Sequence, residues 1–265
     1  MMLQRQGNTG SSIHTTNARK KFGEYGPEKR QTIRSLDVKE DVFKELMIAW
    51  EKWKKEVYSV NSDHAYDAAA KYLTGINLPA DKLQQFIDLL AFSQDNGDFK
   101  LLAGIFLSAL INQGTDNDYS LCLSHTETDL VFLGYRNIKH IRIEGNVGFG
   151  LGVAMERGSI TVIGSARSLI TSLIPVDSNS GMVDGEISIY GNMVGTIGRM
   201  KGGIVSVFGD LIWPSTLRGH KIKTLWMHGG EVHIHGKLEE TEDPDFGSWI
   251  KGGKVFHQGQ LIVDM

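Results

Sequence analysis

The chain has 265 residues, of which 41% are hydrophobic and 22% are charged, and its formal net charge is −3. This is an ordinary globular composition, and the small net charge gives no reason to expect nucleic acid as a partner of the whole molecule. The single cysteine, Cys122, excludes an intrachain disulfide and a zinc site built on several cysteines. Such cysteine usage fits a reducing compartment, so we expect a cytoplasmic protein.

Neither an export signal nor a membrane span is predicted. The opening residues contain no apolar run of the kind that forms the core of a signal peptide. The longest apolar stretch, residues 101–111, is far shorter than the roughly 20 residues that a transmembrane helix needs. We interpret this stretch as a buried helix and expect no membrane contact.

Residues 1–34 are predicted to be a disordered basic arm. They are polar and contain seven basic residues against two acidic ones. The arm is interpreted either as a solubilising tail or as a tether to an acidic surface of a partner. It contains no motif that reads bases, so nucleic acid is not expected as its ligand.

Residues 35–114 are predicted to form a four-helix domain, because apolar residues recur there at spacings of three and four. Ser62 or Asp63 is the expected cap of the second helix, and Pro79 is placed in the first turn of the third. Asp98 precedes the fourth helix, which Gly114 ends. The first helix carries the clearest apolar stripe: Val38, Val42, Leu46, Ala49, Trp50 and Trp53.

The second half of the chain repeats one short phrase of alternating aliphatic residues between two glycines. Five copies are Gly158-Ser-Ile-Thr-Val-Ile-Gly164, Gly185-Glu-Ile-Ser-Ile-Tyr-Gly191, Gly203-Ile-Val-Ser-Val-Phe-Gly209, Gly230-Glu-Val-His-Ile-His-Gly236 and Gly253-Lys-Val-Phe-His-Gln-Gly259. A weaker copy is Lys139-His-Ile-Arg-Ile-Glu-Gly145. Repeats of this length indicate stacked units that bury a common core.

Residues 115–265 are therefore predicted to form a right-handed parallel β-helix, so that the whole chain is an α plus β protein. The intervals between the terminal glycines are 19, 27, 18, 27 and 23 residues, which do not fit the strict multiples of six of a left-handed hexapeptide helix. Because strand residues alternate sides, one set should point inward. That set is Ile141, Ile143, Ile160, Val162, Ile187, Ile189, Val205, Val207, Val232, Ile234, Val255 and His257.

Two longer phrases carry a family resemblance. They are Gly145-Asn-Val-Gly-Phe-Gly-Leu-Gly152 followed by Met155-Glu-Arg-Gly158, and Gly191-Asn-Met-Val-Gly195 followed by Met200-Lys-Gly-Gly203. These phrases resemble the glycine-repeat β-helix shared by the C-terminal domain of the glutamate synthase large subunit and by one of the subunits of formylmethanofuran dehydrogenase. The resemblance covers roughly residues 138–265. It implies a structural and assembly module without catalytic residues of its own, serving a redox or amidotransferase complex.

One strand has the spacing of a metal site. Glu231, His233 and His235 alternate, so their side chains should share the outer face, as two histidines and a carboxylate do in some metal centres. The competing interpretation is that outward positions are simply polar. A metal-dependent enzyme using these three residues is therefore kept as an alternative.

A second outward set suggests a contact surface. The residues just before the terminal glycines form what we call the outer column: Glu144, Ile163, Tyr190, Phe208, His235 and Gln258. Its middle members, Ile163, Tyr190, Phe208 and His235, form a largely apolar stripe, and such stripes mark interaction sites. The helical domain, a protein partner or a second copy of the chain could cover it.

The sequence thus predicts a non-catalytic structural or protein-interaction module, acting as a scaffold or assembly subunit. No cofactor is expected. Cys122 is interpreted as a small buried hydrophobe in an alternating segment, and His125, although close in sequence, is given no catalytic relation to it.

Overall fold

A computed structural model describes residues 41–57, 61–92, 98–126, 129–168, 181–212, 225–238 and 250–265. The predicted basic arm, residues 1–34, lies outside these ranges. From Val42 onward the described residues belong to one compact unit. The unit is α plus β, with helices followed by mostly parallel strands, as predicted.

The helical part contains four described helices. They are α1 (Asp41–Glu56), α2 (Ser62–Tyr72), α3 (Ala80–Ala91) and α4 (Asp98–Gln113). The cap of α2 is Asn61 rather than the predicted Ser62 or Asp63, because the Asn61 side-chain oxygen accepts hydrogen bonds from the first backbone N–H groups. At α3, Pro79 is the cap and has no side-chain donor or acceptor; the N–H of Ala80 donates instead to Asp116 Oδ2, at 2.8 Å.

Aromatic packing holds the helices together. The rings of Trp50 and Trp53 on α1 each lie 5.2 Å from the ring of Phe106 on α4, measured between centroids. Trp53 also donates its indole N–H to the carbonyl of Ala65 at 2.8 Å, which satisfies a fully buried polar group. The predicted stripe therefore faces the core from Val42 to Trp53, while its first member, Val38, lies outside the described residues.

One face of α4 docks on residues 131–136, which lie between the first two strands of the chain. A Cβ on Gly104 would lie 1.9 Å from the carbonyl oxygen of Val131, so only glycine permits this approach. One turn later, Ser108 Oγ accepts from the N–H of Tyr135, at 3.1 Å. After another turn, Asn112 Nδ2 donates to the carbonyl of the next residue, Arg136, at 2.9 Å. Helices and strands share one hydrophobic core as a result.

Thirteen short strands lie within the described residues. Their bounds are β1 Asp118–Cys122, β2 His140–Glu144, β3 Ser159–Ile163, β4 Ala166–Arg167, β5 Glu186–Ile189, β6 Met193–Val194, β7 Gly198–Met200, β8 Ile204–Val207, β9 Leu211–Ile212, β10 Leu225–Met227, β11 Glu231–Ile234, β12 Lys254–His257 and β13 Gln260–Asp264. They form three sheets. The largest has the order β1-β2-β3-β5-β8-β11-β12-β13, and the smaller ones have the orders β4-β6-β9 and β10-β7. All pairs are parallel except β12 with β13.

The repeated phrases pair in register, so that each aliphatic position meets its equivalent in the next repeat. The predicted inward residues are buried, except His257, which is only partly covered and shares a hydrogen bond with the Gly236 carbonyl. The methionines that precede the phrases, Met155, Met182, Met200 and Met227, are fully buried beside them.

The terminal glycines form a column in which backbones touch. A Cβ on Gly164, Gly191, Gly209 or Gly236 would lie 2.2 to 2.4 Å from the carbonyl oxygen of the terminal glycine one repeat earlier. No side chain fits there, because real Cβ atoms do not approach an oxygen so closely. The glycines of the phrase thus permit close stacking of the repeats.

The large sheet extends beyond the predicted repeats at both ends. β1 adds a parallel strand before the first copy, and β13 adds an antiparallel strand after the last. Neither strand carries the glycine phrase, so the repeat does not predict them. No helix in the described ranges is both long and apolar enough to cross a membrane.

Candidate functional site: an exposed column of stacked rings

The outer column lies on the exposed face of the large sheet. Backbone hydrogen bonds that continue the strand pairing past the strand ends align three of its members. The N–H groups of Tyr190, Phe208 and His235 donate to the carbonyls of Val162, Ile189 and Val207 in turn, at 2.8 to 2.9 Å. Alternation along each strand turns these side chains away from the core. The residues of the predicted stripe therefore lie next to one another on the outer face of the sheet.

Three members of the column stack as flat rings, and we call them the ring stack: Tyr190, Phe208 and His235. The centroids of Tyr190 and Phe208 are 4.6 Å apart with planes 10° from parallel. Phe208 and His235 are also 4.6 Å apart, with planes 3° from parallel. This separation matches the spacing between neighbouring strands, about 4.8 Å, so the strand pairing itself sets the stack.

The ring stack is open to solvent. Tyr190 is 54% exposed and Phe208 is 41% exposed, while Ile163 continues the stripe at 37%. Stacking covers the ring faces and leaves the edges outward. The helical part of the chain does not cover this stripe, so that interpretation of its apolar character fails for the described residues. A contiguous apolar strip left uncovered is typical of a contact surface.

Of the three residues of the metal hypothesis, Glu231 and His233 share one face of β11, and His235 follows just after the strand, but their side chains do not converge. His233 Nε2 lies 3.0 Å from Glu231 Oε2, while the His233 ring stacks on Phe256 at 4.6 Å. The ring of His235 is in the ring stack, 6.4 Å from that of His233. Within the described part of the chain, no group of three or more His, Cys, Asp or Glu side chains is placed to hold a metal ion. The histidines act here as aromatic members of two stacks.

Cys122 is not the buried hydrophobe that the sequence suggested. It ends β1 with intermediate exposure, and its side chain faces the same way as the outer column, next to Glu144 in the register. The structure brings its thiol to Ser124, with Sγ and Oγ 3.1 Å apart. His125 Nε2 in turn lies 3.0 Å from Asp88 Oδ1 on α3.

These contacts shift two pKa values in opposite directions. Hydrogen bonds from Ser124, followed by that from His125, lower the pKa of the Cys122 thiol. Its hydrogen bond with Cys122, and then the Asp88 carboxylate, raise the pKa of His125. The sequence did not predict this cluster because Asp88 lies on a helix far from Cys122 in the chain. The nearness of Cys122, Ser124 and His125 was the available signal.

Comparisons of the chain with protein-family models, with curated proteins and with solved structures gave no match. Any function must therefore be inferred from the geometry of the site.

Proposed function

We propose that this chain is a non-catalytic structural module whose strand region winds as a right-handed parallel β-helix of the glycine-repeat kind. The order of the strands supports this. β4, β6 and β9 each follow a strand of the large sheet and pair with one another, and β7 and β10 each precede such a strand and pair likewise. The repeats that contain these strands thus visit the sheets in one order. Parallel crossovers are almost always right-handed, which gives the proposed hand.

The observation that carries the function is the exposed ring stack. Three rings held at strand spacing form a rigid surface, and rigid aromatic groups lose little conformational entropy when they are buried in a contact. Such a surface is suited to binding another protein. The proposed role is that of a scaffold that associates through its outer face.

We propose that a second copy of the chain binds to the outer column. The outer column has polar ends, Glu144 and Gln258, and an apolar centre around Tyr190 and Phe208. A two-fold axis between those two rings would place apolar centre on apolar centre. It would also place the Glu144 end of one copy beside the Gln258 end of the other. Self-complementary surfaces of this kind are what symmetric dimers use.

Sedimentation equilibrium of the full chain over a range of concentrations tests the proposal. We expect reversible dimers for the wild type. Combining Tyr190→Ser with Phe208→Ser should raise the dissociation constant by about tenfold or more, since buried aromatic residues dominate such contacts.

The matched control is Phe149→Ser, which removes a phenylalanine of similar exposure, 37%, outside the outer column. It should leave the dissociation constant unchanged. A wild type that is monomeric at every concentration would overturn self-association. Equal weakening by the control would overturn the assignment to the ring stack.

A further inference from the structure

We propose that two stacked turns at one edge of the large sheet bind the phosphate group of a ligand. The turns are Lys201-Gly202-Gly203 and His228-Gly229-Gly230, which immediately precede β8 and β11. A third turn of the same pattern, Lys251-Gly252-Gly253, precedes β12. We call these three segments the basic turns. They lie at the starts of the strands, whereas the outer column lies past their ends, so the inference does not rest on the proposed dimer.

Backbone pairing holds the basic turns one strand spacing apart. The N–H of His228 donates to the Met200 carbonyl, and that of Lys251 donates to the Met227 carbonyl, both at 2.8 Å. Neighbouring strands are about 4.8 Å apart. The residues that open the turns, Lys201, His228 and Lys251, are all exposed. They therefore form a basic column along the edge of the sheet.

Two of the turns also present backbone N–H groups. Neither Gly203 nor Gly230 donates its N–H to any residue that the structure describes, and both glycines are only half-buried. In the third turn the N–H of Gly253 donates to the Met265 carbonyl at 3.1 Å, so this turn contributes the charge of Lys251 alone. The site thus combines two N–H donors with three basic side chains.

The preceding repeat shows which chemical group such an N–H binds. There the turn is Val183-Asp184-Gly185, and Gly185 has a similar backbone conformation, with φ of 101° against 81° for Gly203 and 89° for Gly230. The N–H of Gly185 donates to Asp184 Oδ1 at 2.7 Å. The basic turns have glycine in place of this aspartate, so they supply no carboxylate of their own. An anionic oxygen of a ligand takes that place in the proposal.

Close stacking explains the glycines of the basic turns but not the basic residues. A Cβ on Gly229 would lie 2.5 Å from the Lys201 carbonyl oxygen, and a Cβ on Gly252 would lie 2.7 Å from that of His228. The exposed side chains before the glycines face no such restriction. Like charges at directly neighbouring positions of adjacent strands repel each other. Stability therefore gives no reason for a column of basic residues, whereas a bound anion does.

The described carboxylates that adjoin these turns in the chain are engaged elsewhere. Asp184 holds an N–H of its own turn. Glu186 Oε1 accepts from Ser188 Oγ at 3.1 Å, and Glu231 Oε2 lies 3.0 Å from His233 Nε2. None of these three contacts is with a residue of the basic turns.

A phosphate group suits this arrangement better than a carboxylate. Two N–H groups about 4.8 Å apart can both donate to the oxygens of one phosphate. A phosphate monoester carries nearly two negative charges at neutral pH, and lysine binds phosphate as a point charge. The column of basic residues also allows further phosphates linked to the first to be bound along the edge of the sheet.

Titration calorimetry of the full chain at low ionic strength tests the proposal with three probes: inorganic phosphate, tripolyphosphate and citrate. We expect one tripolyphosphate to bind per chain, and inorganic phosphate to bind more weakly, because it meets fewer of the basic residues. Citrate carries three carboxylates and should bind about tenfold more weakly than tripolyphosphate. Citrate binding as tight as that of tripolyphosphate would overturn the assignment to phosphate.

Amide NMR on the full chain with isotope-labelled glycine locates the site. The N–H signals of Gly203 and Gly230 should shift when tripolyphosphate is added. The signal of Gly185 should stay in place, because its N–H is already bound by Asp184. Shifts confined to other glycines would overturn the proposal.

The double variant Lys201→Gln with Lys251→Gln tests the basic column. It changes two exposed side chains and should raise the dissociation constant for tripolyphosphate by about tenfold, since hydrogen bonds to charged groups are the stronger ones. The matched control is Lys237→Gln, which removes an exposed lysine at the other end of the strands, just after Gly236. It should leave the dissociation constant unchanged. A wild type that does not bind tripolyphosphate, or an equal loss in the control, would overturn the proposal.

Discussion

At the scale of single residues, a polar cluster joins the helices to the segment between β1 and β2. The side chain of Tyr135 is fully buried and donates its hydroxyl to Asp63 Oδ1 at 2.7 Å. Arg136 binds the same carboxylate and lies 2.8 Å from Asp67 Oδ1. The Arg136 backbone is in the left-handed region, with φ of 50°, which residues other than glycine rarely adopt. Its ion pairs with α2 hold it there.

This cluster should make stability fall in alkaline solution. Burial, followed by the hydrogen bond to Asp63, raises the pKa of Tyr135 to about 12 from 10.0. Because the folded pKa is the higher one, the protonated phenol stabilises the fold fully below pH 10, and this contribution is lost as the pH rises towards 12. We expect Tyr135→Phe to cost about 1 kcal/mol near neutral pH. Urea unfolding at a series of pH values should show the gap between wild type and variant shrinking above pH 10; a constant gap would contradict the assignment.

At the scale of elements, the stacking of the repeats depends on the glycine column rather than on the aliphatic core alone. The β-strands would pair equally well with alanine at the terminal position if only hydrogen bonding mattered. The backbone of the preceding repeat occupies that space instead. The repeats that end in Gly164, Gly191, Gly209 and Gly236 are therefore sensitive to one methyl group at this position.

Two glycines at the same place in successive phrases test this. In Gly236→Ala the new Cβ would lie 2.2 Å from the Gly209 carbonyl oxygen, and we expect a loss of about 2 kcal/mol or more in the free energy of unfolding. In Gly259→Ala the Cβ meets nothing within 4 Å, and only the positive φ of 77° is strained, at a cost of about 1 kcal/mol. Chemical denaturation compares them. An equal loss in both variants would argue against close approach as the cause.

At the scale of the whole molecule, the helices and strands are joined through α4 into one core. On α4, Ser108 and Asn112 form hydrogen bonds with backbone groups of residues 132–138. Without α4, only water could satisfy those groups. The helical and strand regions should therefore not unfold separately.

We expect one cooperative transition on denaturation. Far-ultraviolet circular dichroism and hydrogen exchange at β5 should give the same midpoint for the wild type. Ser108→Ala, which removes the hydroxyl between Gly104, Phe132 and Tyr135, should lower both midpoints together. Two transitions in the wild type, with the helical signal lost first, would show that the parts are independent.

Much of the fold was predictable because its information is local. The inward aliphatic residues, the glycines and the methionines recur at fixed places. Because each repeat packs against its neighbours in the same way, the one phrase predicts the role of these residues in every repeat. The outer column could be predicted for the same reason, including Tyr190 and Phe208. The ring stacking could not, because it depends on the spacing and rotamers of side chains from separate repeats.

The sequence by itself determined the α plus β class, the alternation of the strands and the exposed stripe, since short-range periodicity encodes all three. Only the tertiary structure decided three contacts between distant parts of the chain. They are the pairing of β1 with β2, the hydrogen bond that Gln84 Oε1 on α3 accepts from the Cys122 backbone N–H, and the approach of Asp88 to His125. These contacts join positions many residues apart, and no local spacing records them. The prediction of a buried Cys122 was wrong because alternation describes which face a side chain takes, but not what covers that face.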